Sequence, residues 1–252
     1  MARDFDGTDD ELRVPDAASL DLNDWSIACW AYFDALDADR NLISKRDNAG
    51  STINYALNHS ATNMQVFYTP SVGNFRVLTV PLSGNFVTGT WYHLIGTATT
   101  SGGNTDLRLF KNGALLGGPT NFSGVPQAIT AYLSLGHNQG VEFLNGRMAQ
   151  VCIWNRALSA NEANAVYRGG PLVAPSGLVA YLELFGYGTQ EPDWSGSGNH
   201  ATTITGTMVI DHPPLRPPFG FDRGWMGAFT AIAGAAAVPY QPWTQRAPVL
   251  AQ

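Results

Sequence analysis

Charge is scarce in this sequence. Only 13 % of its 252 residues are Asp, Glu, Lys or Arg. Cysteine is scarcer, at two residues, which excludes a disulfide scaffold. No Cys/His cluster has zinc-ligand spacing, and the five histidines show no metal pattern. Fourteen Lys and Arg against 20 Asp and Glu leave a net charge of -6, so no basic face for nucleic acid is expected. No apolar run reaches the roughly 18–20 residues that span a bilayer. The longest candidate, Trp225–Val238, is short and rich in Gly and Ala. The opening Met1-Ala-Arg-Asp-Phe-Asp6 lacks the basic-then-apolar pattern of a secretory signal.

What the chain has is apolar residues (44 %), 27 glycines and 15 prolines. Few charges with many turn formers suit a domain of many strands, and the length suffices for a full core. The uninterrupted aromatic run Trp25-Ser-Ile-Ala-Cys-Trp-Ala-Tyr-Phe33 reads as a strand buried on both faces. Asn41–Lys45, Asn54–Leu57, Met64–Tyr68 and Trp91–Thr97 follow, separated by Asn, Gly and Ser clusters. Asp106–Lys111 meets Asn112-Gly113 and then Ala114–Leu116. This spacing predicts a hairpin, because the tight turn needs positive φ at both central residues. Tyr132–Leu135, Gly146–Trp154 and Leu178–Phe185 continue the strands.

One helix interrupts the pattern. Ser159-Ala-Asn-Glu162 has capping-box spacing, and Gly169-Gly170 ends the turns that follow. Beyond His212 the composition changes. Residues 213–252 hold seven of the 15 prolines and no lysine, yet keep Phe219, Phe221, Trp225, Phe229, Tyr240 and Trp243. Stiff proline-rich chain with six aromatics predicts an arm that packs on its own domain, on a copy of itself or, as the partner-docking reading has it, on another protein. The expected domains are therefore 1–212, a domain of many strands, and 213–252, a Pro-rich apolar C-terminal arm.

Several phrases together resemble the laminin-G-like branch of the concanavalin A-like lectin/glucanase superfamily. They are Phe5-Asp-Gly-Thr-Asp-Asp-Glu-Leu-Arg-Val14, Trp25–Trp30, Leu42–Lys45, Thr90-Trp-Tyr-His-Leu94, Leu107–Gly113, Leu144–Val151 and Trp154–Glu162. The resemblance implies an all-β jelly-roll sandwich of two antiparallel sheets with one short helix. In the family, a phrase like Tyr181-Leu-Glu-Leu184 with Asp193-Trp-Ser-Gly-Ser-Gly-Asn199 usually precedes the Phe-Asp-Gly strand, whereas here it comes last. The chain thus reads as circularly permuted, which predicts that strand 178–185 lies beside the amino-terminal strand.

The glucanases of the superfamily use acids at alternate positions of one strand. This chain has no such phrase, and Glu11, Glu142, Glu162, Glu183 and Glu191 are scattered. Glu183 is the one to watch, and a sheet-surface acid paired with an Arg is its simpler reading. No Gly-x-Ser-x-Gly elbow is present. Cys29 and Cys152 are expected to be buried on opposite sheet faces, and Trp25, Trp30, Trp91 and Trp154 are expected in the core. No catalytic residue is expected, and the chain is read as no enzyme.

Many superfamily members hold calcium at a sandwich edge. The resemblance implies a calcium site at Asp193 and Asn199, with Asp9 and Asp10 brought near by the permutation; a plain turn held by Asp193 is the alternative. The binding-type fold, the missing signal and the apolar arm together predict a structural accessory of a phage virion, assembled in the host cytoplasm. There the arm would dock on a second copy or on a capsid or tail protein. The alternative is a lectin-like module of a bacterial surface protein with a glycan ligand, extracellular or at the cell surface.

Overall fold

The computed structural model describes residues 1–47, 51–186, 189–211 and 213. The six arm aromatics expected to dock, from Phe219 to Trp243, lie outside these residues. The alternating sequence becomes fifteen strands: β1 (Ala2–Asp6), β2 (Glu11–Val14), β3 (Trp25–Phe33), β4 (Arg40–Arg46), β5 (Ile53–His59), β6 (Asn63–Tyr68), β7 (Arg76–Pro81), β8 (Trp91–Ser101), β9 (Asn104–Lys111), β10 (Ala114–Ser123), β11 (Leu133–Leu135), β12 (Asn145–Trp154), β13 (Leu178–Leu182), β14 (Thr203–Thr205) and β15 (Met208–Ile210). A single α-helix, α1 (Ala160–Gly169), stands among them.

All strand pairs are antiparallel. One sheet has eight strands, in the order β10-β9-β8-β3-β12-β1-β15, with β13 also on β12. The other has seven, in the order β14-β2-β11-β4-β5-β6-β7. Period-2 alternation puts Trp25, Ile27, Cys29 and Phe33 of one sheet against Tyr55, Leu57, Val66 and Leu133 of the other, in one continuous core. At one end of this core the buried Lys45 amine is held by Asp16 (2.6 Å), Asp21 (2.9 Å) and the Ile129 carbonyl (2.6 Å). The charge is tolerated there because every donor has an oxygen.

The outer face of the eight-stranded sheet is covered by α1. Val166 and Ala163 of the helix pack on Ala28, Ile95, Phe110 and Trp154. Its start follows the sequence reading. Ser159 accepts from the Glu162 amide, Glu162 reaches back to the Ser159 amide, and Gly170 forms the C-cap. The Asn112-Gly113 hairpin is also present, with φ of 52° and 78°. β7 and the full length of β10 were not expected. Both are edge strands: β10 is nowhere fully buried, and β7 buries only Leu78 and Val80.

The expected neighbourhood of strand 178–185 and the amino-terminal strand takes a form different in detail. β13 does not pair with β1; the two lie end to end along the same edge of β12. β1 takes Asn145–Met148, and β13 takes Val151–Trp154. The physical reason is length: ten residues of β12 accommodate two five-residue strands, and the irregularity at Ala149 and Gln150 (φ 48° at Gln150) parts them. Strand β15 then returns along β1, with Ile210 opposite Ala2. The two described ends of the sandwich are therefore neighbours, the geometry that makes such a permutation cheap.

Candidate functional site

The outer face of the seven-stranded sheet carries no helix among the described residues. Leu12, Val14, Leu133, Leu135, Ile43, Tyr55, Leu57, Val66 and Tyr68 point into the core. Alternation therefore turns Arg13, Ser134, Ser44, Ala56 and Phe67 outward, as one row of register partners across β2, β11, β4, β5 and β6. Beside this row runs a stack of rings. His137 lies between Tyr132 (centroids 6.1 Å, 24°) and Phe143 (6.0 Å, 19°). The Arg13 guanidinium sits 4.5 Å from the Tyr132 ring centre and pairs with Glu11 at 2.8 Å. Tyr132 and Phe143 are half-buried, and His137 is fully buried.

The connection from β11 to β12 folds back over this face. Asn41 of β4 donates from its amide to Glu142 O (2.8 Å) and from Nδ2 to His137 O (2.6 Å). At the tip, Gln139 Nε2 donates to Arg46 O at the far end of β4 (2.6 Å). Both edges of β4 are taken, by β5 and β11, and its inner side is core. The segment 137–142 therefore crosses the outer face as a flap. A bridge between Asn138 and Val141 closes it, with positive φ at Gln139, Gly140 and Glu142. The Gly140 amide donates to His137 Nδ1 (3.1 Å), so the ring proton belongs on Nε2. Burial lowers the His137 pKa to about 4, against the pull of Glu11, and the ring is neutral at physiological pH.

The loop expected to hold calcium is closed by its own hydrogen bonds. Asp193 Oδ1 accepts from the amides of Tyr181 (2.8 Å) and Ser195 (2.9 Å). Its Oδ2 accepts from Ser195 Oγ (2.8 Å) and the Asn199 amide (2.9 Å). Asn199 Nδ2 donates to Val179 O at 2.7 Å and to Ser19 Oγ at 3.0 Å. Asp9 and Asp10 come together with Asp6, their ligand atoms within 4.8 Å of one another, and Asp193 is not in that group. Burial, then the neighbouring Asp6, Asp9 and Asp4, raises the Asp10 pKa, while the hydrogen bond from the Asp6 amide opposes the rise.

Other sequence readings change on contact with the structure. Glu183 meets the Gln150 amide (3.4 Å) rather than an arginine, and burial raises its pKa. Cys29 lies in the main core and Cys152 in the cluster beneath α1, the opposite faces that alternation implied. Trp25, Trp30 and Trp154 are buried, but Trp91 is half-exposed on the outer face of the eight-stranded sheet. It faces Tyr32 (5.5 Å), and Arg147 lies over the Tyr32 ring (4.4 Å). His59 and His93 lie in strands and His137 in the β11–β12 connection, and all three are buried where flanking rings or core close over them. Trp194, 56 % exposed on the Asp193 loop, and the Tyr132–His137–Phe143 stack went unnoticed in the sequence. Their spacing follows neither a strand nor a helix period, so no periodic signal marks them.

Solved structures similar in fold to this chain include the following three. A structure from Bacteroides ovatus described as a candidate carbohydrate binding protein is similar over 88 % of this chain, with 17 % identity and a TM-score of 0.59. This chain spans 61 % of that protein's length. A heptameric SAP-like pentraxin from Limulus polyphemus covers 66 % of the chain and is itself covered over 81 %, with 13 % identity and a TM-score of 0.49. The CBM40 of a Ruminococcus gnavus IT-sialidase, bound to α2,3-sialyllactose, covers 66 % and is covered over 98 %, with 14 % identity and a TM-score of 0.49. No curated protein matches the sequence. A family profile described as the concanavalin A-like lectin/glucanases superfamily matches residues 6–164. By this match, and by its two antiparallel sheets with a single helix among the described residues, the chain belongs to the concanavalin A-like lectin/glucanases superfamily.

Proposed function

We propose that this protein binds carbohydrate without transforming it, on the outer face of its seven-stranded sheet. One observation carries the reading: the half-buried rings of Tyr132 and Phe143 stand beside the Arg13–Glu11 pair on a sheet face bare of helices among the described residues. Aromatic surface next to fixed polar groups is what a sugar ring needs, since its C–H faces stack and its hydroxyls hydrogen-bond. Superfamily membership supports this reading, and so does the fold likeness to a structure described as a candidate carbohydrate binding protein. These observations favour the lectin-like alternative over virion assembly, whose docking arm lies outside the described residues. An extracellular or surface-associated setting accords with it. No helix of the described residues is long and apolar enough to cross a membrane.

Isothermal titration of the full chain with oligosaccharides tests the proposal. Wild type is expected to bind at least one, and Tyr132→Ala to bind it roughly tenfold more weakly, about 1.4 kcal/mol. Equal affinity in a folded Tyr132→Ala protein would remove this face from the binding site.

A further inference from the structure

The base of the flap and the sheet face under it share an unusual set of groups. Ser44 Oγ, Ser134 Oγ, Asn138 Oδ1 and His137 Nε2 are buried and have no hydrogen-bond partner among the described residues. Ser44, Ser134, Asn138 and His137 are each at most 3 % exposed. Ser44 and Ser134 are register partners on adjacent strands, so the two hydroxyls share one spot on the sheet. Ser134 is in turn opposite Arg13, whose Nε is also buried and unpartnered. His137 Nε2 lies 3.4 Å from Glu11 Oε2, yet makes no aligned hydrogen bond to it.

Buried polar groups are almost always satisfied, and each orphan destabilises the fold. Several orphans on one face point to a ligand whose groups complete them. Their chemistry is mixed. Two hydroxyls can donate or accept, Asn138 Oδ1 only accepts, and the nitrogens of His137 and Arg13 donate. A carboxylate, sulfate or phosphate only accepts, and would meet Asn138 Oδ1 and the Glu11 carboxylate with repulsion. Vicinal sugar hydroxyls do both.

Resting on the carbohydrate reading above, we infer that the 137–142 flap is a lid over a subsite for a neutral, hydroxyl-rich sugar residue, whose hydroxyls pair with Ser44, Ser134, Asn138 and His137. Gln139, through its bond to Arg46 O, is the latch. The latch is one neutral hydrogen bond at the tip of a short turn, beside exposed Gly140 and Val141. Lifting the tip breaks this bond, while the Asn41 bonds to His137 O and Glu142 O and the ring stack of His137 hold the base of the flap as a hinge.

The test separates this inference from the reading beneath it. Full-length wild type, Ser134→Ala, Ser44→Ala and Gln139→Ala are titrated with two probe panels. One holds neutral β-glucan, α-glucan, mannan and galactan fragments. The other holds 3′-sialyllactose and an oligogalacturonate. Melting temperatures are recorded without ligand. The serine variants are expected to melt about 2–4 °C higher, because an orphaned hydroxyl is gone. They are expected to bind a neutral probe about tenfold more weakly. This opposition distinguishes a ligand contact from a structural hydroxyl, whose loss would lower melting and leave affinity unchanged. Gln139→Ala is expected to associate several-fold faster with the same probe. Neutral binding that both serine variants retain, or tight binding of an acidic probe alone, overturns the neutral subsite and leaves carbohydrate binding standing. An unchanged association rate in Gln139→Ala overturns the lid. If wild type binds no member of either panel, the carbohydrate reading itself falls, and the subsite with it.

Discussion

Arg3 and Glu191 form a buried ion pair that ties the first strand to a loop 188 residues later: Nε and Nη2 of the guanidinium approach Glu191 Oε1 at 2.8 and 2.7 Å. Their side chains are 6 % and 1 % exposed. The same carboxylate oxygen accepts the Gly186 amide at 2.7 Å. This pair, with β1 between β12 and β15, fastens the seam between the first strand and the segment that follows β13.

Glu191→Ala should therefore destabilise the fold by about 3–5 kcal/mol, because it strands the Arg3 charge out of water. The double variant Arg3→Met/Glu191→Leu should lose much less, since no charge remains to be buried. Urea unfolding of the three proteins measures both. A single variant as stable as wild type would show that the seam is held by strand pairing alone.

Asp193 acts as a turn organiser, with four donors on its two carboxylate oxygens. Asp193→Asn turns an amide donor toward groups that donate, and should cost about 2–4 kcal/mol. A carboxylate so occupied has little capacity left for an ion. Melting in calcium and in chelator should accordingly coincide. A higher melting temperature in calcium, lost in Asp193→Asn, would assign an ion to this loop.

Acid should weaken the fold before the carboxylates titrate. Burial lowers the pKa of His93 to about 3 and that of His137 to about 4, and it lowers His59 as well. The unfolded chain takes these protons near 6.5. The folded protein refuses them, so their contribution is complete above about pH 6.5 and shrinks as pH falls toward 4. Each buried imidazole adds up to about 1.4 kcal/mol per pH unit within that window. His93 has an unpartnered Nδ1 and packs edge-on against Trp30. His93→Phe should keep that contact and flatten the decline in melting temperature between pH 7 and pH 4.5. A decline as steep as wild type would place the proton uptake elsewhere.

The sequence by itself determined the sandwich. Alternation in β2 and β9, the unbroken apolar run of β3, the Asn112-Gly113 turn and the Ser159–Glu162 box are local signals, and local backbone chemistry fixes what they form. Alternation also placed Cys29 and Cys152 on opposite faces, because a strand offers only two. The tertiary structure decided what local rules do not reach. Trp91 reads as core but is half-exposed, since its outward face lies beyond the cover of α1. His137 carries no periodic signal, yet it is buried, because the flap, held on β4 by Asn41, turns it back between Tyr132 and Phe143. Ser44 and Ser134 are ordinary outward serines until β11 joins β4 and the flap closes over them. Period-2 patterning tells which way a side chain points. What waits on that side depends on contacts between residues far apart in the chain, and only folding brings those together.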